Sequence, residues 1–174
     1  MRGYYKNLHN NKLIEINMSL YEKISKSDMA EILSVKKISR SYFILKMNRL
    51  KSIQSDVVKM LRNSSFHEIQ LQSLEKVDNL TLTILAECNS ALEIGLISLK
   101  KSQAKILSHN KSALVLSKLN KISDLAAKEL SFYQGNILEL PALNQLSPKA
   151  FVYLNEFKGD FLTIGSLKKN HFKP

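Results

Sequence analysis

An α/β solenoid is the fold this sequence predicts, with parallel strands on its inner side, helices on its outer side and about seven turns. Three observations lead there. Apolar residues recur in register at intervals of 22 to 24 residues. Within each interval the apolar period changes from that of a strand to that of a helix. The helical parts carry capping residues where such helices should begin.

The recurrence is clearest near the C-terminal end, where Ile137-Leu138-Glu139-Leu140-Pro141-Ala142-Leu143 lies over Ala113-Leu114-Val115-Leu116-Ser117-Lys118-Leu119 at an offset of 24. Leu130, Tyr133 and Gly135 match Leu154, Phe157 and Gly159 at the same offset, and Leu138, Leu140 and Leu143 recur as Leu162, Ile164 and Leu167. Upstream, the Leu-x-Leu-x-x-Leu pattern appears as Leu92, Ile94 and Ile97, as Ile69, Leu71 and Leu74 with Val77, and as Leu45, Met47 and Leu50 with Ile53. A first copy starts at Ile14 and Ile16, with an insertion before Leu45. Self-similarity of this length specifies a repeat architecture.

Leu138-x-Leu140 alternates, which sends both leucines to one face of a strand. Ala150, then Val152 or Phe151, Leu154 and Phe157 follow at helical spacing. Ser147 can accept a hydrogen bond from an otherwise unpaired backbone N–H, and Pro148 falls at the first helical position, where its missing donor costs nothing. Ser123 is the matching cap one copy earlier. Gly135 and Gly159 are expected to end their helices in the left-handed conformation. Residues 54–63, 101–109 and 123–133 also read as helix. A single strand-helix unit cannot bury its own apolar face, so the units must stack. An all-helical bundle is the rival, but it leaves Leu-x-Leu at constant spacing unexplained.

The Leu-x-Leu-x-x-Leu segments over residues 44–167 resemble the strand-and-turn core of leucine-rich repeats. One departure matters. The position that is usually Asn or Cys in that family holds Leu50, Leu74, Ile97, Leu119, Leu143 and Leu167, so no asparagine ladder can form there. The pattern is similar to a variant class found in some bacterial proteins, with a full helix on the outer side. Residues 1–43 then form an N-terminal cap with an irregular first repeat, and residues 44–174 continue it as repeats of one domain, the last of them incomplete.

The resemblance implies a scaffold that binds another protein with its inner, strand-lined surface. If Leu138 and Leu140 face the core, Glu139 faces outward, and its counterparts are Lys46, Gln70, Glu93, Val115 and Thr163. Adjoining turn positions are Asn48, Arg49, Gln72, Ser73, Ser117, Lys118, Pro141 and Ala142. The surface is mixed in charge and mostly polar. No cofactor is implied.

A formal net charge of +11 raises nucleic acid, or another anionic surface, as the alternative partner. The charge is uneven, because residues 1–51 hold eleven Lys or Arg against four acids. Lys36, Lys37, Arg40, Lys46, Arg49 and Lys51 sit there beside Tyr42 and Phe43, and any nucleic acid is expected at that point. Elsewhere Lys59, Lys76, Lys105, Lys121, Lys128 and Lys149 read as a solvated outer surface.

Catalysis is not expected. His9, His67, His109 and His171 are far apart, no His-Cys-carboxylate set has metal-ligand spacing, and five glycines supply no phosphate-cradling loop. Cys88 is the only cysteine, which reads as a small buried hydrophobe and, without a signal peptide in view, favours a reducing compartment such as the cytoplasm, or export without such a signal. No apolar run approaches the ~20 residues of a membrane span. At the C-terminal end, the last copy, Leu162-Thr163-Ile164-Gly165-Ser166-Leu167, is expected to leave an unpaired parallel strand edge, open to self-association or a partner and tempered by Lys168 and Lys169.

Overall fold

The structure, a computed structural model, describes residues 4–8, 13–19, 21–34, 42–62, 64, 66–88, 90–165 and 167–170. In chain order these form β1 (Tyr4–Leu8), β2 (Leu13–Asn17), α1 (Lys26–Ser34), β3 (Tyr42–Lys46), α2 (Ser55–Lys59), β4 (Glu68–Leu71), α3 (Asn79–Glu87) and β5 (Ala91–Ile94). There follow α4 (Lys101–Leu107), β6 (Leu114–Leu116), α5 (Asp124–Leu130), β7 (Ile137–Leu140), α6 (Pro148–Asn155), β8 (Phe161–Ile164) and β9 (Leu167–Asn170).

All the strands belong to one sheet whose spatial order is their chain order. The seven strands β2 to β8 pair in parallel, while β1 and β9 pair antiparallel at its two ends. Parallel neighbours require a crossover, and the six helices supply one at each step. Each helix contacts the next along the chain, so the helices form a second layer. The architecture is α/β, with an open sheet, and its repetition is compatible with a repeat or solenoid-like fold.

The register matches the repeat read from the sequence. Ile16, Leu45, Ile69, Leu92, Leu114, Leu138 and Leu162 are successive partners across the sheet. All seven are buried, as are Met47, Leu71, Ile94, Leu116, Leu140 and Ile164 two residues on. They share one core with the inner residues of the helices, among them Val57, Leu82, Ala104, Ala126, Leu130, Ala150 and Leu154. Each fully buried aliphatic side chain contributes about 1.5–3 kcal/mol. Residue 43, taken as the end of the N-terminal cap, falls within β3.

Helix starts follow the expected chemistry. Ser123 and Ser147 accept from the backbone N–H of Ala126 and Ala150, and Pro148 opens α6. Asp78 does the same for α3, accepting from Thr81 N at 2.8 Å. Ser25 and Asp28 cap α1 reciprocally.

The helix ends differ from expectation. α5 and α6 stop at Leu130 and Asn155, with Ser131 and Glu156 as right-handed caps, several residues before Gly135 and Gly159. Those glycines answer to space. A Cβ on Gly135 would lie 2.0 Å from the Ser112 carbonyl oxygen, and one on Gly159 would lie 2.7 Å from that of Asn136, so each lets one repeat approach the backbone of the repeat before it.

Two expected positions, Ile97 and Leu167, differ, and the choice between Val152 and Phe151 is decided. Ile97 is 40% exposed and Leu96, 1% exposed, fills the core in its place, because that turn is one residue shorter and passes through Gly95. Val152 is exposed, and Phe151 packs against the core. Leu167 begins β9 and so continues no Leu-x-Leu-x-x-Leu copy.

The C-terminal edge also differs. β8 is not left unpaired, because the chain reverses at Gly165, whose φ of +54° suits a tight hairpin, and β9 returns along it with Leu167 opposite Ile164. The sheet therefore ends on β9, where Lys168 and Lys169 lie in register with Thr163 and Leu162.

Candidate functional site

Strand pleating gives the sheet two faces. One meets the helix layer; the other is covered by no element among the described residues. Burial alternates accordingly, with buried residues toward the helices and half-buried ones on the open face, as in β4, β5 and β7. Lys46, Gln70, Glu93, Val115, Glu139 and Thr163 are all half-buried and are register partners from β3 to β8. The six strand positions named from the sequence thus form one row, which Asn17 extends into β2.

A second row lies two residues earlier on the same face. It contains Glu15, Ile44, Glu68, Ala91, Ile137 and Phe161. Sequence reading took one outward position per strand and missed this row, although the same alternation that marks Glu139 also marks Ile137.

Polar contacts gather at the N-terminal part of the face. Lys46 Nζ pairs with Glu15 Oε2 at 2.8 Å, and Asn17 Nδ2 donates to the other oxygen of Glu15 at 3.4 Å. Gln70 Nε2 donates to Glu68 Oε1 at 2.6 Å, and Asn48 Nδ2 donates to Gln70 Oε1 at 3.4 Å. Gln72 Nε2 donates to Glu93 Oε1 at 2.9 Å. Nearby, Tyr42 stacks on His67 with ring centroids 4.5 Å apart, and His67 Nδ1 accepts from Phe43 N. Burial, reinforced by the Glu68 carboxylate, holds the Tyr42 hydroxyl above its ordinary range.

Toward β8 the face turns apolar. Val115 and Ile137 are half-buried and Phe161 is 44% exposed. Glu139 stands among them without a hydrogen-bond or ion-pair partner among the described residues.

The turn residues are divided. Asn48, Gln72, Ser73, Ser117, Lys118 and Ala142 are half-buried, whereas Arg49 and Pro141 are exposed. Lys118 Nζ reaches Glu75 at 2.9 Å and holds that carboxyl below its usual range through the hydrogen bond and its charge.

The basic N-terminal cluster is only partly within the described residues; Lys36, Lys37 and Arg40 lie outside them. The rest is engaged by carboxylates, Lys46 by Glu15 and both Arg49 and Lys51 by Glu22. Lys59, Lys76, Lys105, Lys121, Lys128 and Lys149 are all exposed, on helices or loops. A concavity of about 690 Å³ between α3 and α4 is lined by Thr83, Ala86, Lys105, Ile106, His109 and Lys111 among others.

His9 and His171 lie outside the described residues. Among the described residues no three His, Cys, Asp or Glu side chains come together as a metal site, and no helix is long and apolar enough to cross a membrane. Cys88 is buried, its Sγ 3.3 Å from the Ile84 carbonyl, and burial pushes its thiol up to about 11. No family model matches the chain, and neither a curated protein nor a solved structure matches it.

Proposed function

We propose that the chain is a leucine-rich-repeat-like solenoid that serves as a protein-binding scaffold, holding its partner against the open face of the sheet. The observation that carries this reading is the row from Lys46 to Thr163, six half-buried positions in register on a face that no helix among the described residues covers. Rigid strands hold these side chains at fixed intervals of roughly 4.8 Å across the sheet, so the row offers a pre-organised surface. Stacked repeats characteristically bind through such extended surfaces.

The test is site-specific photocrosslinking in lysate of the cells that produce the protein. A photoreactive residue replaces Val115, at the centre of the row, or Leu125, which is 57% exposed on the helix layer. The expected result is a defined protein adduct from position 115 that survives nuclease and is missing from position 125. Adducts from position 125 alone would overturn the reading. Retention that nuclease abolishes would move the function to nucleic acid and the N-terminal third.

A further inference from the structure

The open face differs in charge from the chain that builds it. The sequence holds 26 Lys and Arg against 15 Asp and Glu. From β4 to β8, however, the open-face strand positions carry Glu68, Glu93 and Glu139 and no cation. Lys46, in β3, is already matched by Glu15, and Lys118, in the turn after β6, is matched by Glu75. The partners of Glu68 and Glu93 are neutral amides, which satisfy oxygen atoms but leave the charge uncompensated.

Glu139 is placed differently from the other two. Val115 and Thr163 flank it in neighbouring strands, and the Ile137–Phe161 pair lies beside it on the same face. Apolar neighbours that become covered lower the local dielectric, so an ion pair completed there is stronger than one left in water. Phe161 adds an exposed ring over which a cationic head can sit, and apolar surface along which a lysine or arginine stem can lie.

Resting on the scaffold reading, we infer that the occupant of the open face is a basic protein segment whose lysine or arginine side chains pair with Glu68, Glu93 and Glu139, with Glu139 beside Phe161 as the anchor. The same charges repel nucleic acid from this part of the face. Lys168 lies in register with Thr163 at the β9 end of the sheet, whereas Lys59, Lys76, Lys105, Lys121, Lys128 and Lys149 lie on helices or loops.

The experiment titrates the isotope-labelled full chain with a 12-residue lysine-leucine peptide and, separately, with its glutamate-leucine counterpart, following backbone amide signals. The lysine peptide is expected to shift Val115, Glu139 and Thr163. Its Kd should weaken at least tenfold in E68Q/E93Q/E139Q and several-fold in E139Q alone. It should change less than twofold in E31Q/E87Q/E156Q, which alters net charge equally at exposed positions outside the strands. Equal loss in both triple variants, signals confined to the helix layer, or a glutamate peptide that occupies the row would each overturn the assignment. The scaffold reading is judged apart from these outcomes, by the adduct from position 115.

Discussion

The hydroxyl of Tyr133 lies 3.1 Å from Oδ1 of Asn110, which is fully buried in the preceding repeat. The same hydroxyl donates to the Ser112 carbonyl. Asn110 Oδ1 also accepts from Ser112 N at 3.0 Å, and its amide donates to the Ala86 carbonyl, one repeat further back, at 3.4 Å. One asparagine therefore joins three successive repeats at the helix-to-strand return, away from the aliphatic turn positions where the sequence rules out an asparagine ladder. Asn110→Ala leaves buried polar groups unpaired and is expected to cost about 1–3 kcal/mol or more, with Tyr133→Phe near the lower end. Denaturant unfolding of both variants checks this; equal stability to the parent would mean water replaces the side chain.

Leu140 and Glu139 are adjacent in sequence and lie on opposite faces of the sheet. Leu140→Ala is expected to cost about 2–5 kcal/mol, as truncation of a buried leucine does. Glu139→Ala should leave stability within about 0.5 kcal/mol of the parent, since Glu139 has no hydrogen-bond or ion-pair partner to lose among the described residues. Thermal or denaturant midpoints of the two variants make the comparison, and similar losses would contradict the strand register.

Gly95, just after β5, packs against the turn after β4. A Cβ there would lie 1.9 Å from the Gln72 carbonyl oxygen, a backbone atom that cannot swing aside. Gly95→Ala is expected to destabilise by about 1–3 kcal/mol through a shift of one turn against the other. Chemical denaturation measures the loss, and the Gln72 amide signal should move with it.

Much of this was legible in the sequence, and the parts that were not share a cause. Alternation at a fixed interval reveals Leu138, Leu140 and Glu139 because each strand repeats the same local rule. The cap at Ser147 is legible because its partner N–H lies within the same helical turn. Ile97 was assigned to the core because the turn through Gly95 is one residue short, which only backbone geometry exposes. The roles of Gly135 and Gly159 depend on Ser112 and Asn136 in neighbouring repeats, so adjacent residues cannot reveal them. Composition showed excess positive charge, whereas strand pairing puts Glu68, Glu93 and Glu139 on one face, where an ion pair also joins Lys46 to Glu15.

Asp78 links the cap of α3 to acid stability. Its carboxylate accepts from Thr81 N at 2.8 Å and from Thr81 Oγ1 at 2.7 Å, and these bonds hold its pKa below the ordinary aspartate value. A depressed folded pKa means that the stabilisation is present above the unfolded value, near 3.9, and is lost as pH falls through the folded value. Asp78→Ala should therefore cost about 1 kcal/mol at neutral pH and progressively less in acid. Urea unfolding at several pH values tests it; a loss independent of pH would mean that packing, not the charged cap, is what Asp78 supplies.

Cys88 makes the opposite prediction at high pH. Its thiol is buried, and desolvation raises its pKa from 9.0 to about 11, against the smaller lowering by Arg62. The native state therefore keeps a proton that the unfolded chain releases at lower pH. Stability is unaffected below the unfolded value and falls as pH rises from about 9 toward about 11, by at most about tenfold in the folding equilibrium per pH unit from this group. Tyr133, whose hydroxyl is also raised by burial, adds to the slope above its ordinary value of 10.0. Cys88→Ala should flatten the first part of that decline while losing a little packing at neutral pH. Thiol labelling gives an independent reading: at pH 8 the native protein should react with a disulfide reagent at least tenfold more slowly than the unfolded chain, because the reactive thiolate is both scarce and enclosed. Rapid labelling of folded protein would place Cys88 at an open surface and contradict the packing of α3 against the sheet.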